Sequence, residues 1–465
     1  MSSHLENLPT ELLATIFGLL PRDGSRLALA STSEHLRGVL APHVFSAVKL
    51  NSSTQERHEF EQLVNKYRPT ITRLHFMASM PYGVPEVNIL ATTDHRIGEQ
   101  DIASSTDEDP VASADDKNFV TDFARDALTG KLLPKVTTLC LSFNFDFDYD
   151  GEKPGEGSNL STSMWIFTDE EADDDVPVKE AKYPWRALMA QTWLAICQNK
   201  FISKLIVLDL IPKKTTAFDS DDWRSFLGCL DTLELGIWGD DSELGLRTLE
   251  GCTDFGCKLD RYFFRYLTKV QRLVLVAYPD CPFGGDVGDI LGQDVFLDWA
   301  LSKEHLPHLR ILELRNVFVS KKLANFIISR SATLYQVRLH DCHCESSSNF
   351  VQAEIISWAI FFTHLDRNKT QLKELCITYE QGSDTAILYE GNLLEEKEED
   401  MVFSYGYMDT ECGFMIDDKM IREKNEERMD LIAYQKLMNT IKQNWEGERE
   451  RLAFAGGPVT RVDTQ

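Results

Sequence analysis

Leu309-Arg310-Ile311-Leu312-Glu313-Leu314 shows most clearly how this chain is built, because leucines occupy its first, fourth and sixth positions. Alternation over the second half of this hexad is typical of a short strand with one buried side. The same spacing recurs in hexads that begin at Ile71, Val136, Leu205, Leu230, Val270, Leu334 and Leu372. Since 43% of the residues are apolar, such hexads are frequent by chance, and their context must decide what they mean.

Helix-like segments rich in aromatic residues precede nearly every hexad, for example Trp185 to Ile196, Trp223 to Leu227 and Ile355 to Leu365. A helix followed by a short strand, repeated many times, is typical of a leucine-rich-repeat solenoid. The spacing here is irregular, at about 25 to 65 residues instead of the usual 20 to 29. We therefore predict an α/β fold in which helices alternate with short parallel strands in an irregular solenoid. A flat α/β or α+β domain with parallel strands is the structural alternative.

Residues 8 to 45 predict three short helices ahead of the first hexad. Pro9 suits a first helical position because its missing N–H would be unpaired there anyway, and leucines follow it at helical spacing. Ser31 and Glu34 have the spacing of a capping box, and Pro42 is expected to end the third helix. So small a unit has too much surface to bury all its leucines, which predicts that a partner covers the remainder.

This segment resembles the F-box of fungal proteins, through Leu8-Pro9-Thr10-Glu11-Leu12-Leu13 and through Pro42-His43-Val44-Phe45 with the apolar stretch Ser46 to Leu50. The resemblance implies a substrate receptor that joins a Skp-type adaptor and, through it, the cullin of an SCF-type ubiquitin ligase. It implies no catalytic residues in the chain itself. The adaptor contacts implied by position are Leu8, Pro9, Leu12, Leu13, Ile16 and Leu19, with Leu27, Leu29 and Leu36 supporting or sharing that surface.

The Trp often found near the third helix of animal F-boxes is absent from Ser33 to Arg37. A second interpretation is an N-terminal helical cap that uses the leucines as its own core. Two other functions also stay open: an interaction scaffold with leucine-rich repeats that acts outside a ligase, and an enzyme whose active site is assembled from distant residues.

The chain has 465 residues and a net charge of -26, which disfavours nucleic acid and anionic membranes as partners. Without a long apolar run or a signal peptide, we expect it in the cytoplasm, the nucleus or both. The expected domains are an F-box at 1–50, a repeat-like substrate-binding domain at 51–390 and a tail at 391–465 with an acidic segment, a long helix and a disordered end. Acidic insertions are expected near 94–118 and 145–180.

Asp146-x-Asp148-x-Asp150-Gly151 matches the opening of an EF-hand calcium loop. The bidentate Glu required at the twelfth position is replaced by Gly157, so an acidic loop is the preferred interpretation. His340-Asp341-Cys342-His343-Cys344 gathers several metal-ligand types, but no second ligand pair follows at zinc-site spacing. Cys342 falls on the ladder position of a repeat, which favours a structural role. No cofactor or metal is expected.

The variable positions of the hexads are largely basic although the chain is strongly acidic. In a solenoid these positions form a continuous platform for a ligand. Arg binds carboxylate and phosphate groups through two parallel hydrogen bonds, so we predict an acidic or phosphorylated segment of a protein substrate as the ligand. Solvation of an exposed strand face is the alternative. The predicted substrate-binding residues are Arg310, Arg315, Arg338 and His340.

Overall fold

A computed structural model of the chain describes residues 5, 8–20, 25–53, 58–80, 118–145, 167, 171–238, 250–278, 282–284, 300–346, 356–379, 401–409 and 413–454. The chain forms two compact units. The first comprises Met1–Trp165, Glu171–Phe201 and Thr215–Ala217, and the second comprises Ile166–Glu170, Ile202–Lys214 and Phe218–Gln465. Asp146, Asp148 and Asp150 of the calcium-like motif lie outside the described residues, as do most of the two acidic insertions.

The described part of the first unit holds helices α1 (Thr10–Leu19), α2 (Ser25–Ser31), α3 (Glu34–Val44), α4 (His58–Tyr67), α5 (Asp122–Leu128), α6 (Asp175–Lys182) and α7 (Pro184–Cys197). Its strands are β1 (Ala47–Asn51), β2 (Arg73–Ser79) and β3 (Thr138–Asn144), and β2 pairs with both of the others in parallel. Long helix α7 is buried on most of its surface, with Trp185 and Trp193 fully enclosed. Its Gln191 side chain accepts a hydrogen bond from the backbone N–H of Phe119, 2.9 Å away, which ties α7 to the segment before α5.

The first three helices form, but two of their predicted boundaries are wrong. Ser33, not Ser31, caps α3, since its Oγ accepts a hydrogen bond from the Leu36 N–H at 3.1 Å. Helix α3 also continues through Pro42 to Val44. Pro42 has no N–H to donate to the carbonyl four residues back, and α3 ends two residues after it, at Val44.

The leucines of these helices build a local core. Leu13, Phe17, Ala30, Leu36 and Leu40 are buried together, with Leu8 and Leu29 packed against them. The helical spacing of these leucines, which resembled that of an adaptor-binding surface, thus largely serves to pack the three helices on one another. Any small helical bundle requires such spacing.

The second unit contains β4 (Lys204–Leu210), β5 (Thr232–Ile237), β6 (Arg272–Val276), β7 (Ile311–Arg315), β8 (Phe318–Val319), β9 (Gln336–His340), β10 (His343–Glu345), β11 (Glu374–Thr378), β12 (Tyr405–Asp409) and β13 (Gly413–Ile416). Its described helices are α8 (Asp221–Leu227), α9 (Glu250–Cys257), α10 (Leu259–Tyr262), α11 (Lys321–Ser329), α12 (Trp358–Arg367), α13 (Asp418–Glu427) and α14 (Met429–Phe454). Two short 3-10 helices of the chain are Thr216–Asp219 and Phe264–Tyr266.

Six of these strands pair in parallel in the order β4-β5-β6-β7-β9-β11. Their register aligns the apolar positions of the hexads across the sheet, so that Leu273 faces Leu312 and Leu275 faces Leu314. These leucines are fully buried. The prediction of an α/β fold with short parallel strands is therefore confirmed, with three such strands in the first unit and six in this sheet of the second. The structure does not show the solenoid that was predicted with it.

A second sheet forms where the chain turns sharply after β7 and β9. Asn316 and Asp341 adopt left-handed conformations with φ of 53° and 48°, which Asn and Asp tolerate better than other side chains. The residues that follow them, Val317 and Cys342, are fully buried. These corners lead into β8 and β10. Strand β10 pairs in parallel with β8 on one side and with β12 on the other, and β13 completes the sheet antiparallel to β12. The Cys342 thiol donates a hydrogen bond to the carbonyl oxygen of Leu314 at 3.5 Å, and its structural role stays a prediction.

The C-terminal segment contains two helices where the sequence predicted one long helix. Arg428 adopts a left-handed conformation with φ of 55°, which separates α13 from α14. One face of α14 packs against α12 and β11. Asn444 also donates hydrogen bonds to the carbonyl oxygens of Thr370 and Leu372, both at 2.9 Å, ahead of β11. Within the described ranges, no helix has the length and apolar character needed to cross a membrane.

His343 makes the stability of the second sheet sensitive to acid. Its imidazole is buried beside the rings of Phe318 and Phe414, and its Nδ1 lies 2.8 Å from the Ser404 Oγ. Burial lowers the pKa of His343 to about 3. Because the unfolded chain binds this proton near pH 6.5 while the folded chain does not, stability is lost as the pH falls below that value.

We expect acid to lower the free energy of unfolding more steeply in the parent protein than in His343→Gln. Between roughly pH 6 and 4, the two slopes should differ by up to about 1.4 kcal/mol per pH unit. Glutamine does not titrate and can keep a hydrogen bond to Ser404. Urea unfolding at a series of pH values measures both slopes. Parallel pH curves for the two proteins would show that His343 is protonated in the folded state.

Candidate functional site

The side of β6, β7, β9 and β11 that faces away from the leucine rows carries mostly polar residues, which align across the strands. We call this surface the polar face. In one row, Arg272 aligns with Ile311, Gln336 and Glu374. The next two rows of the polar face consist of Val274, Glu313, Arg338 and Cys376, and of Val276, Arg315, His340 and Thr378.

Glu313 lies at the centre of the polar face, and its side chain is only 4% exposed. Its Oε2 is 3.0 Å from Nη2 of Arg272 on the neighbouring strand. Its Oε1 accepts hydrogen bonds from Nη2 and Nε of Arg315, at 2.7 and 3.2 Å. The carboxylate therefore holds two guanidinium groups from adjacent strands in fixed positions. We call this set the Arg272–Glu313–Arg315 fork.

Glu313 is ionised at neutral pH. Burial alone would raise the pKa of this carboxyl group, but the hydrogen bond from Arg315 and the charges of Arg315 and Arg272 outweigh burial and lower it. A charge so enclosed is stable only because it is paired. The fork is thus a built arrangement, in which each arginine satisfies a buried acid and is itself restrained.

A second group of polar side chains lies beside the fork on β9 and β11. Arg338 Nη2 is 3.4 Å from Oε1 of Glu374, which also accepts a hydrogen bond from the Gln336 side chain. The Arg338 side chain is 21% exposed and that of Glu374 is 50% exposed. This pair is therefore more open to water than the fork, and it contributes less to rigidity.

His340 connects the two groups. Its Nδ1 is hydrogen-bonded to the Thr378 hydroxyl, and its Nε2 lies 3.7 Å from Oε1 of Glu313. Burial, followed by the positive charge of Arg315, lowers the pKa of His340, while Glu313 and Asp341 oppose that effect. His340 is therefore neutral at physiological pH and adds hydrogen-bonding capacity without charge.

The polar face differs in charge from the chain as a whole. Its three arginines and two glutamates leave a formal charge of +1, whereas the whole chain carries -26. Within the described residues, no group of three or more His, Cys, Asp or Glu side chains could hold a metal ion. The face is thus suited to binding a negatively charged group through Arg.

The structure brings together three of the four predicted substrate-binding residues. Arg315, Arg338 and His340 occupy neighbouring positions on the polar face. Arg310 does not join them. It precedes β7, and because it is two residues before buried Leu312 it lies in step with the leucine side of the strand and not with the polar face. The sequence analysis did not identify Glu313 and Glu374, the acids that pair with these arginines. The alternation of each hexad places Glu313 beside Arg315 on the same side of the strand, and that signal could have identified it.

The residues predicted to contact an adaptor are divided between core and surface. Leu13 and Leu36 are buried, Leu8, Ile16 and Leu29 are partly buried, Pro9 is exposed, and the side chain of Leu27 lies outside the described set. Leu12 and Leu19 are 50% and 81% exposed.

The chain matches no protein-family profile, and no curated protein sequence matches it. The identification as a fungal-type F-box protein with leucine-rich repeats is therefore wrong. The functions that depended on it are wrong too: substrate receptor of an SCF-type ubiquitin ligase, non-catalytic ligase subunit, and role in ubiquitin-dependent degradation. The Skp-type adaptor and the cullin lose their support as partners.

One solved structure with some similarity is a sugar phosphate isomerase/epimerase from Parabacteroides distasonis. It is 7% identical, and the alignment covers 73% of this chain and 87% of that one with a TM-score of 0.20. A likeness at this level carries no argument about fold or activity.

Proposed function

We propose that the chain binds an acidic segment of a partner protein on the polar face of the second unit. The observation that carries the proposal is the fork, in which buried Glu313 fixes Arg272 and Arg315 on adjacent strands. Arginine side chains normally lose much conformational freedom on binding, which weakens the complex. Here that loss has already occurred in the folded protein, so a ligand meets arginines that are in place.

The guanidinium groups also keep contact with solvent. The Arg272 and Arg315 side chains are 36% and 41% exposed. Each guanidinium has five N–H donors, and Arg315 directs its Nε and Nη2 at Glu313. The remaining capacity suits the paired oxygens of a carboxylate or phosphate.

Arg315→Gln/Arg338→Gln tests the proposal in the full-length chain. The probe is a fluorescein-labelled peptide of alternating glutamate and glycine, followed by fluorescence anisotropy at about 0.1 M salt. We expect at least about tenfold weaker binding, since two charge-assisted contacts are lost.

Arg224→Gln/Arg265→Gln is the matched control. Its arginines pair with Asp221 at 2.9 Å and with Asp260 at 2.7 Å, and their side chains are 44% and 46% exposed. It removes the same charge from the surface and should bind the peptide as the parent does. If both double variants lose the same affinity, the polar face is not the binding site. Thermal unfolding of each variant confirms that the fold is kept.

A further inference from the structure

We infer that the polar face selects singly charged acidic groups, the carboxylates of unmodified Asp and Glu side chains, over phosphate dianions. This inference rests on the proposed function and specifies its ligand. The observation behind it is the position of Glu313 between the two arginines of the fork.

The charge of the fork sets the preference. Arg272 and Arg315 carry two positive charges, and the ionised carboxylate of Glu313 cancels one of them. A ligand at the fork therefore meets a net charge of +1. Its attraction to the fork grows in proportion to its own charge, whereas the cost of removing it from water grows with about the square of that charge. A site with a single net charge thus favours a monoanion.

The surroundings of the fork reinforce this preference. Arg338, the next guanidinium on the face, lies close to Glu374 and is partly neutralised by it. His340, which faces Glu313, Arg315, Arg338, Asp341 and Thr378, is neutral at physiological pH and adds no positive charge. The chain as a whole, at -26, repels a dianion more strongly than a monoanion.

Three peptides of one sequence test the selectivity, each with a different residue at a central position: phosphotyrosine, sulfotyrosine or p-carboxyphenylalanine. Phosphate and sulfate esters share a tetrahedral shape, but the phosphate carries close to two charges at neutral pH and the sulfate one. We expect the sulfotyrosine and carboxyphenylalanine peptides to bind the full-length parent at least about threefold tighter than the phosphotyrosine peptide. Tighter binding of the phosphotyrosine peptide would overturn the inference.

Glu313→Gln supplies a second measurement. Glutamine has nearly the same shape as glutamate but no charge, so the net charge of the fork rises to +2. The affinity of the phosphotyrosine peptide should therefore increase relative to that of the sulfotyrosine peptide. An unchanged ranking in a folded Glu313→Gln variant would contradict the inference. If that variant does not fold, the ranking in the parent still decides. A fourth peptide, with unmodified tyrosine at the central position, separates this inference from the proposed function. Equal binding of all four peptides would overturn the proposed function itself.

Discussion

Gly236→Ala should destabilise the second unit by about 3 kcal/mol or more, because the added methyl group has no space. Gly236 lies on β5 opposite an irregularity in the pairing with β4. A Cβ atom at this position would lie 2.1 Å from the backbone carbonyl oxygen of Leu208 and 2.9 Å from its carbonyl carbon. Both atoms belong to the main chain and cannot turn away as a side chain could, so one strand must move.

Urea unfolding measures this effect as a shift of the midpoint at constant slope. Gly38→Ala is the matched control, since Gly38 lies inside α3 and a Cβ there would meet no atom within 4 Å. Alanine is the better helix former, so this variant should gain roughly 0.5–1 kcal/mol. A Gly236→Ala protein as stable as the parent would show that the β4–β5 pairing differs from the one described.

Asp430→Ala should cost about 2–5 kcal/mol, because it leaves buried hydrogen-bond donors without an acceptor. Asp430 is only 3% exposed, near the start of α14. Its Oδ1 accepts a hydrogen bond from the Ala359 N–H at 2.7 Å, and its Oδ2 accepts one from the Tyr405 hydroxyl at 2.6 Å. The carboxyl group thus links α14, α12 and β12.

Asp418→Ala is the control for this prediction, because Asp418 is an exposed residue in the first turn of α13 and its loss should cost about 0.5 kcal/mol. In a Tyr405→Phe background the cost of Asp430→Ala should fall, since one of the two donors is already absent. Equal costs in both backgrounds would contradict the hydrogen bond between Tyr405 and Asp430.

The parallel strands could be predicted because their signal is local. In the hexad at Leu309, alternation alone places Leu312 and Leu314 on one side of the strand and Glu313 on the other, and the structure keeps that division. The boundaries of α3 could not be predicted as well, because Ser31 and Ser33 both suit a cap and only packing selects between them.

The polar face was predictable only in part. The sequence shows that Arg338 occupies a variable position of its hexad and that Arg315 directly follows a hexad, but not that buried Glu313 lies between Arg272 and Arg315. That arrangement depends on the register of β6 against β7, which places Val274 opposite Glu313. Register is set by the whole sheet and not by any single strand.

The F-box assignment failed for a related reason. Leucines at helical spacing satisfy both an adaptor-binding surface and an ordinary helical core, and the sequence pattern does not separate the two. In the structure, Leu13 and Leu36 belong to a core formed by the three helices themselves.

A charge exchange on the polar face tests the proposed binding of an acidic segment most directly. The parent should bind the glutamate–glycine peptide more tightly than a lysine–glycine peptide of equal length. Arg315→Glu/Arg338→Glu should reverse that order, because the face then carries a net negative charge. The same exchange at Arg224 and Arg265 should leave the order of the parent unchanged. If the variant with glutamates on the polar face still prefers the glutamate–glycine peptide, the polar face does not bind the acidic segment.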